Sequence, residues 1–168
     1  MNYNENDIEL EFTESVKNYR AMIFRIAYGY TRDVHDADDI TQEVFLSLYK
    51  TSTKFAAEEN KKAWLIRVAV NKSKSLLSSV WKTRRTDLDE KAVSELPVES
   101  LGLYEYVMDL KPKYRTIIYL FYYEEYSVKE IAGLLKIRET TVTTQLNRAR
   151  NQLKTMITEE EAERRQVL

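Results

Sequence analysis

The sequence predicts an all-α chain made of two small helical domains joined by an acidic linker. Three observations carry that reading. Apolar residues recur at helical spacing along nearly the whole chain, no segment alternates convincingly as a strand, and 168 residues contain only 3 Gly and 2 Pro, about a quarter of the ordinary share of ~12%. Folds that need glycines at positive φ, such as glycine-rich phosphate loops, Rossmann turns and many-hairpin β-structures, are thereby nearly excluded.

The elements follow in order. Val16, Tyr19, Ile23, Ile26, Ala27 and Tyr30 form the stripe of a first helix, and Ala37, Ile40, Val44, Phe45 and Leu48 that of a second. A third helix is expected from about Lys61 to Val80, with Trp64, Leu65, Val68, Ala69, Leu76 and Val80 on or near one face. The periodicity then stops. Residues 83–100 read TRRTDLDEKAVSELPVES, polar and acidic with Pro97 near the end, which marks an interdomain tether. The expected boundaries are a first domain over 1–83, a linker over 84–100, a second domain over 101–160 and a tail over 161–168. Helical spacing resumes over 103–110, and Pro112 sits at an N1-like position ahead of Ile117, Ile118 and Phe121.

Ser127-Val-Lys-Glu130 is a capping box, in which the Ser hydroxyl accepts from the N3 amide and the Glu carboxylate reaches back to the cap amide. The helix it starts should bury Val128, Ile131, Ala132 and Leu135. A short turn at 136–138 leads to a second helix with Val142, Leu146, Ala149 and Leu153 inward. Such a pair is either an ordinary helical hairpin or a DNA-binding helix-turn-helix. The outer face of the second helix favours the latter, because Thr140, Thr141, Thr144, Gln145, Arg148 and Arg150 are uncharged or basic hydrogen-bonders and only Glu139 is acidic.

With no Cys and one His (His35), the chain cannot hold disulfides, Cys-based zinc or iron–sulfur sites, Cys nucleophiles or a His cluster. An enzyme would be left with carboxylate, Ser/Thr or Tyr chemistry lacking an imidazole partner. No catalytic residue, metal, cofactor or small-molecule substrate is expected. His35 precedes a helix in an acidic stretch and reads as a solvated turn residue. The longest strongly apolar run, 116–123, is far short of the ~20 residues that span a bilayer. The start, MNYNENDIELEF, has no basic flank before an apolar stretch and is not a signal peptide. A cytoplasmic protein is expected.

The net charge of −1 speaks at first against nucleic acid. Its distribution along the chain points the other way. Residues 1–60 hold 6 basic and 12 acidic side chains; residues 61–85 hold 8 basic and none acidic; residues 86–110 hold 1 basic and 7 acidic; residues 111–157 hold 9 basic and 4 acidic. A helical stretch with Lys61, Lys62, Arg67, Lys72, Lys74, Lys82, Arg84 and Arg85 and no carboxylate suits a phosphate-facing surface, the alternative being a merely solvated helix face. The acidic segment with Asp33, Asp36, Asp38, Asp39 and Glu43 would repel nucleic acid and suits a protein contact.

The segments DADDITQEVFLSLYK (36–50), AWLIRVAVNKSKSLL (63–77) and YRTIIYLFYYEEYSVKEIAGLLKIRETTVTTQLNRARNQLK (114–154), with the acidic linker between them, resemble the extracytoplasmic-function (ECF) sigma factors of bacterial RNA polymerase. The likeness covers almost the whole chain in the family order of domain 2, linker and domain 4. It implies a promoter-specificity subunit without an active site of its own, partnered by core RNA polymerase, promoter DNA and an anti-sigma factor.

By that resemblance the helix over 36–50 docks on the clamp helices of the β′ subunit, through Asp39, Gln42, Glu43, Phe45 and Leu46. Periodicity alone gives Ile40, Val44 and Phe45 a core role. The stretch over 55–77 is similar to the part that melts the −10 element and captures a flipped base, a task that needs cations for the displaced strand and an aromatic platform for the base. Lys61, Lys62, Arg67, Lys72 and Lys74 supply cations, and Phe55 and Asn71 suit base contacts. Trp64 has two readings, core packing or stacking on DNA. Ser75 stands where many members carry an acid.

In domain 4 the second helix would enter the −35 major groove, with Arg138, Thr140, Thr141, Thr144, Gln145 and Arg148 toward the DNA. Many relatives read S-x-G-T-V-K-S-R-L-x-R-A-R here, whereas this chain has Arg138 in place of the Ser cap, Thr143 for the Lys and Gln145 for the Arg. The cap is weaker by about 1 kcal/mol. Gln pairs with adenine N6 and N7, which points to an A-containing −35 element. Arg150 faces either a phosphate or an internal partner, and the family's domain 4 also grips the β flap through the surface around 117–122. Two rival classes are a stand-alone helix-turn-helix regulator, which would need a dimer interface and an effector pocket, and a helical adaptor or anti-sigma protein, which would leave the basic block over 61–85 unexplained.

Overall fold

The computed structural model describes residues 5–80 and 101–166, which fall in two compact units. The first holds helices α1 (Glu5–Thr31), α2 (Val34–Lys50) and α3 (Glu58–Val80). The second holds α4 (Leu101–Asp109), α5 (Pro112–Tyr122), α6 (Val128–Leu135) and α7 (Glu139–Gln166). No strand occurs among the described residues. The linker expected over 84–100 lies outside them.

In the first unit α1 packs against both α2 and α3, and its sequence answers that demand. Met22, Ile23, Phe24, Ile26, Ala27, Tyr28 and Tyr30 are all buried, far more of the circumference than one stripe. Val16 and Tyr19, expected inside, are only half-buried, and at this level it is Ser15 that α1 turns inward. The turn into α2 uses Arg32 at φ 52° and then Asp33, whose carboxylate accepts from the Asp36 amide at 2.9 Å. That caps α2 and leaves His35 exposed inside its first turn rather than ahead of the helix. Val34, Ala37, Ile40, Thr41, Val44 and Phe45 face inward, the Thr41 hydroxyl donating to the Ala37 carbonyl at 2.7 Å.

Two expectations for α3 need correction. It starts at Glu58, a turn-length ahead of the predicted Lys61, so that Glu58 and Glu59 occupy a first turn where carboxylates are favoured by the helix dipole. Its inner face is set by Lys61, Leu65, Ile66, Ala69, Val70 and Ser73, while Trp64, Val68 and Leu76 are half-buried. Being clasped by two helices rotates the buried sector past the stripe that hydropathy alone defines.

The second unit is organised by α7, whose Val142, Leu146, Ala149 and Leu153 are buried as expected. Pro112 opens α5 at its first turn. The capping box at Ser127 and Glu130 is formed in both directions, the Ser127 amide donating to Glu130 Oε2 at 2.8 Å and the Glu130 amide to Ser127 Oγ at 3.3 Å. Leu134 rather than Leu135 takes the inward position at the end of α6, and Val128 is half-buried. The turn to α7 passes through Lys136 at φ 54°, with the Ile137 amide donating to the Ala132 carbonyl at 3.1 Å. A non-glycine residue there costs roughly 1 kcal/mol. α7 continues past residue 160, the expected domain end, to Gln166; Glu-rich sequence of good helix propensity and an Arg164–Glu160 pair one turn apart sustain it.

The box predicts a measurable effect. Ser127→Ala should lower the unfolding free energy of the second unit by about 1 kcal/mol, read as a lower midpoint in denaturant with an unchanged slope.

Candidate nucleic-acid interface

The eight cations counted between residues 61 and 85 do not have one fate. Lys61 is buried, with 5% of its surface exposed. Its Nζ donates to Glu11 Oε1 at 2.9 Å and to Ser15 Oγ at 3.3 Å, and pairs with Glu58 Oε2 at 3.2 Å. It therefore does not present its charge to a phosphate, which corrects its assignment as a DNA-facing cation. Lys72 is at the surface and pairs with Glu43 of α2 at 3.1 Å. Asn71 and Lys74 are exposed, and Lys62 and Arg67 are half-buried. Lys82, Arg84 and Arg85 lie outside the described residues.

Between α2 and α3, residues 51–57 form a loop pinned by the Thr51 hydroxyl, which accepts from the Thr53 amide at 3.2 Å and donates to Thr53 Oγ1 at 3.0 Å. Phe55 leaves this loop to meet Trp64 edge to face, with ring centroids 5.7 Å apart. Both rings are half-buried, so Trp64 is neither wholly core nor a free platform. On α2, Asp39, Gln42, Glu43 and Leu46 are exposed, Leu46 at 53%, whereas Phe45 is buried and meets Phe12 of α1 edge to face. The core role that periodicity gave Phe45 is the one its geometry bears.

In the second unit the turn between α6 and α7 leaves Arg138, Thr140, Thr144 and Arg148 exposed, while Thr141 and Gln145 are half-buried. The Thr144 hydroxyl donates to the Thr140 carbonyl at 2.8 Å, which leaves its oxygen as an acceptor toward the outside. Arg150 has an internal partner: its Nε donates to the Tyr122 hydroxyl at 2.8 Å, and its guanidinium lies over Phe121 and Tyr122, 5.4 and 5.6 Å from the ring centres. That contact ties α7 to α5. It rests beside an apolar groove of about 470 Å³ lined in part by Leu103, Val107, Tyr122, Leu153 and Ile157.

Comparison with known proteins matches the two units to two families in chain order. The sigma-70 region 2 model covers residues 16–83, and the sigma-70 region 4 model covers residues 100–153. The ECF RNA polymerase sigma factor SigW of Bacillus subtilis is 30% identical over 162 residues, spanning 85% of this chain and 87% of that protein. The chain belongs to the ECF sigma factors. The RNA polymerase sigma factor SigV of the same organism is 25% identical over 152 residues, spanning 87% and 90% of the two chains. Among solved structures, the sigma factor RpoE of Bartonella quintana, crystallised with the anti-sigma factor NepR, shares the fold with a TM-score of 0.69 at 17% identity over 88% of this chain and 97% of that one. CnrH, solved with the cytosolic domain of CnrY, shares it at 0.66 and 20% identity.

This sigma factor is thus a promoter-specificity subunit, and its region 2 match starts at residue 16, after Glu11 and Ser15. No group of three or more His, Cys, Asp or Glu among its described residues could hold a metal ion. No helix among them is long and apolar enough to cross a membrane.

The cluster around Lys61 leaves an electrostatic signature. The Tyr19 hydroxyl donates to Glu58 Oε1 at 2.7 Å, and this bond, with Lys61, holds the Glu58 carboxyl below the ordinary glutamate range against the opposing effect of burial. Lys61 is pulled the other way: burial disfavours its charge, but the bonds to Glu11 and Glu58 prevail and raise it. Glu58 therefore adds stability above the ordinary glutamate range and loses it as the pH falls through its lowered value; Lys61 adds stability below the ordinary lysine range and loses it only in strong alkali. Glu58→Gln should be less stable than wild type at pH 7, and the two unfolding curves should converge as the pH falls from the ordinary glutamate range through the lowered Glu58 value.

Proposed function

We propose that this sigma factor loads onto core RNA polymerase through the outer face of α2, opens the −10 element with the 51–57 loop and α3, and reads the −35 element with α7. The observation that carries the reading is the segregation of charge on a helical frame: exposed acids on α2, and Lys62, Arg67, Lys72 and Lys74 along α3 with no acid on that helix after Glu59.

On α2 the polymerase contact falls to Asp39, Gln42, Glu43 and Leu46, all exposed, with Phe45 supporting them from within. Beside the loop, Phe55 and Trp64 offer aromatic edges to an unpaired base, Asn71 a hydrogen-bonding amide, and Lys62, Arg67, Lys72 and Lys74 the charge that holds a displaced strand. The exposed pair between Lys72 and Glu43 does not bar that role, since such pairs contribute at most about 1 kcal/mol and exchange readily with a phosphate. On α7, Arg138 and Arg148 suit phosphates, Thr140, Thr141 and Thr144 supply short hydrogen-bonding groups, and Gln145 suits an adenine edge. The apolar groove between α4, α5 and α7 suits the polymerase flap. An anti-sigma partner, as NepR is for RpoE, action in the cytoplasm where polymerase works, and the absence of chemistry of its own complete the proposal.

Reconstitution tests it. The purified chain should co-elute with core polymerase and yield a discrete run-off transcript from a promoter carrying both elements, and Gln145→Ala should alter the rank order of single-base −35 variants. A chain that binds a DNA site by itself as a dimer and gives no transcript with core would be the stand-alone regulator instead.

A further inference from the structure

Burying an ammonium group costs several kcal/mol, and an apolar side chain of equal length commonly packs in its place at no loss of stability. Stability alone therefore does not single out a lysine at this position. Lys61 sits at the start of α3, yet two of its three partners, Glu11 and Ser15, lie on the first turns of α1, 50 and 46 residues away. The third, Glu58, is itself bonded to Tyr19 of α1. These contacts clasp α1 to the end of the 51–57 loop. Glu11 and Ser15 precede the region 2 match, so half of the clasp is supplied by a segment outside it.

What the clasp holds is a cleft of about 590 Å³, bounded by Ile8 and Phe12 of α1, Tyr49 at the end of α2, residues 51–55, and Lys61. Phe12 closes its far side against Tyr49, with ring centroids 5.4 Å apart. Phe55, which meets Trp64 on α3, lines the same cleft. The width of this cleft depends on where α1 stands relative to the loop, and Lys61 ties the two from the α3 side while Phe12 does so from the α2 side.

We propose that Lys61 is a positioning residue for promoter opening: through Glu11 and Glu58 it fixes the first turns of α1 as the outer wall of the cleft, so that the 51–57 loop meets the unpaired −10 strand in one conformation. The inference rests on the reading that this loop handles that strand. A positively charged tie serves here because it is directional. It bonds three oxygens at defined distances, an orientation that an apolar contact of the same size does not specify.

The test uses holoenzyme assembled with Lys61→Met or Glu11→Gln, the second of which alters only a half-exposed surface carboxylate. Two probes come from one promoter that the wild-type holoenzyme transcribes: a single-stranded oligonucleotide with the non-template −10 sequence, and a duplex with the −35 element alone. Both variants should bind the single strand about fivefold or more weakly, the scale of a disturbed stacking contact, with −35 duplex affinity near wild type. If both variants keep single-strand affinity within about twofold while Phe55→Ala loses it, the positioning role is wrong and the −10 reading stands. If Phe55→Ala also changes nothing, the −10 reading fails and takes the inference with it. A fall in affinity for both probes alike, accompanied by a lower thermal midpoint, would mark Lys61 as a structural residue only and overturn the proposal.

Discussion

Eight basic side chains and no carboxylate between residues 61 and 85 set the electrostatic problem that the first unit has to solve. Five of them, Lys61, Lys62, Arg67, Lys72 and Lys74, lie on α3; like charges along one helix repel, and acids placed near two of these cations relieve the repulsion. They do so in two ways. Near its start, Lys61 is drawn inside and bonded to Glu11 and Glu58, which removes its charge from any outside ligand. Further along, Lys72 meets Glu43 at the surface, where water and salt screen the pair and a phosphate can compete for it. The same residue type in one charge run thus serves the fold at one position and stays at the surface, open to the proposed DNA contact, at another.

That division explains where the sequence was legible and where it was not. The apolar stripes of α2 and α7, the cap at Ser127, the N1 proline at 112 and the turn into α7 are local signals, and each reappears in the structure where spacing placed it, save that Leu48 at the end of the α2 stripe is only half-buried. Lys61 was not legible as a buried residue, because its decisive partner is 50 residues away and no local pattern carries that distance. Glu58, three positions before it on the same helix, was the one signal in the sequence that pointed to a neutralised lysine. The rotation of the inner face of α3 toward Ile66 and Val70 was hidden for a related reason: a helix clasped by two others buries more than one stripe, and hydropathy alone does not say which sector gains.

The scarcity of glycine has a structural counterpart. Among the described residues the left-handed backbone positions belong to Arg32, Glu125 and Lys136, each at a helix end or turn. The chain accepts a small strain at three turns and keeps helical propensity everywhere else. One of those turns sets α7 against α6 and so fixes which of its residues face outward. Arg150, which sequence left between a phosphate and an internal partner, is settled by geometry: its stacking on Phe121 and Tyr122 and its bond to the Tyr122 hydroxyl tie α7 to α5. Arg138 and Arg148 are left at the exposed start and middle of the same helix.

Charge cancellation is the centre of the proposed function: the chain sums to −1 because acidic segments offset the cations assigned to DNA, and polymerase would cover those acids on assembly. The most direct measurement is promoter affinity as a function of salt for the isolated chain and for the holoenzyme. The account predicts that at about 0.15 M salt the isolated chain shows no promoter-specific binding, while the holoenzyme binds with an affinity that falls steeply as salt rises. Promoter-specific binding by the isolated chain as tight as that of the holoenzyme, at the same salt, would contradict it.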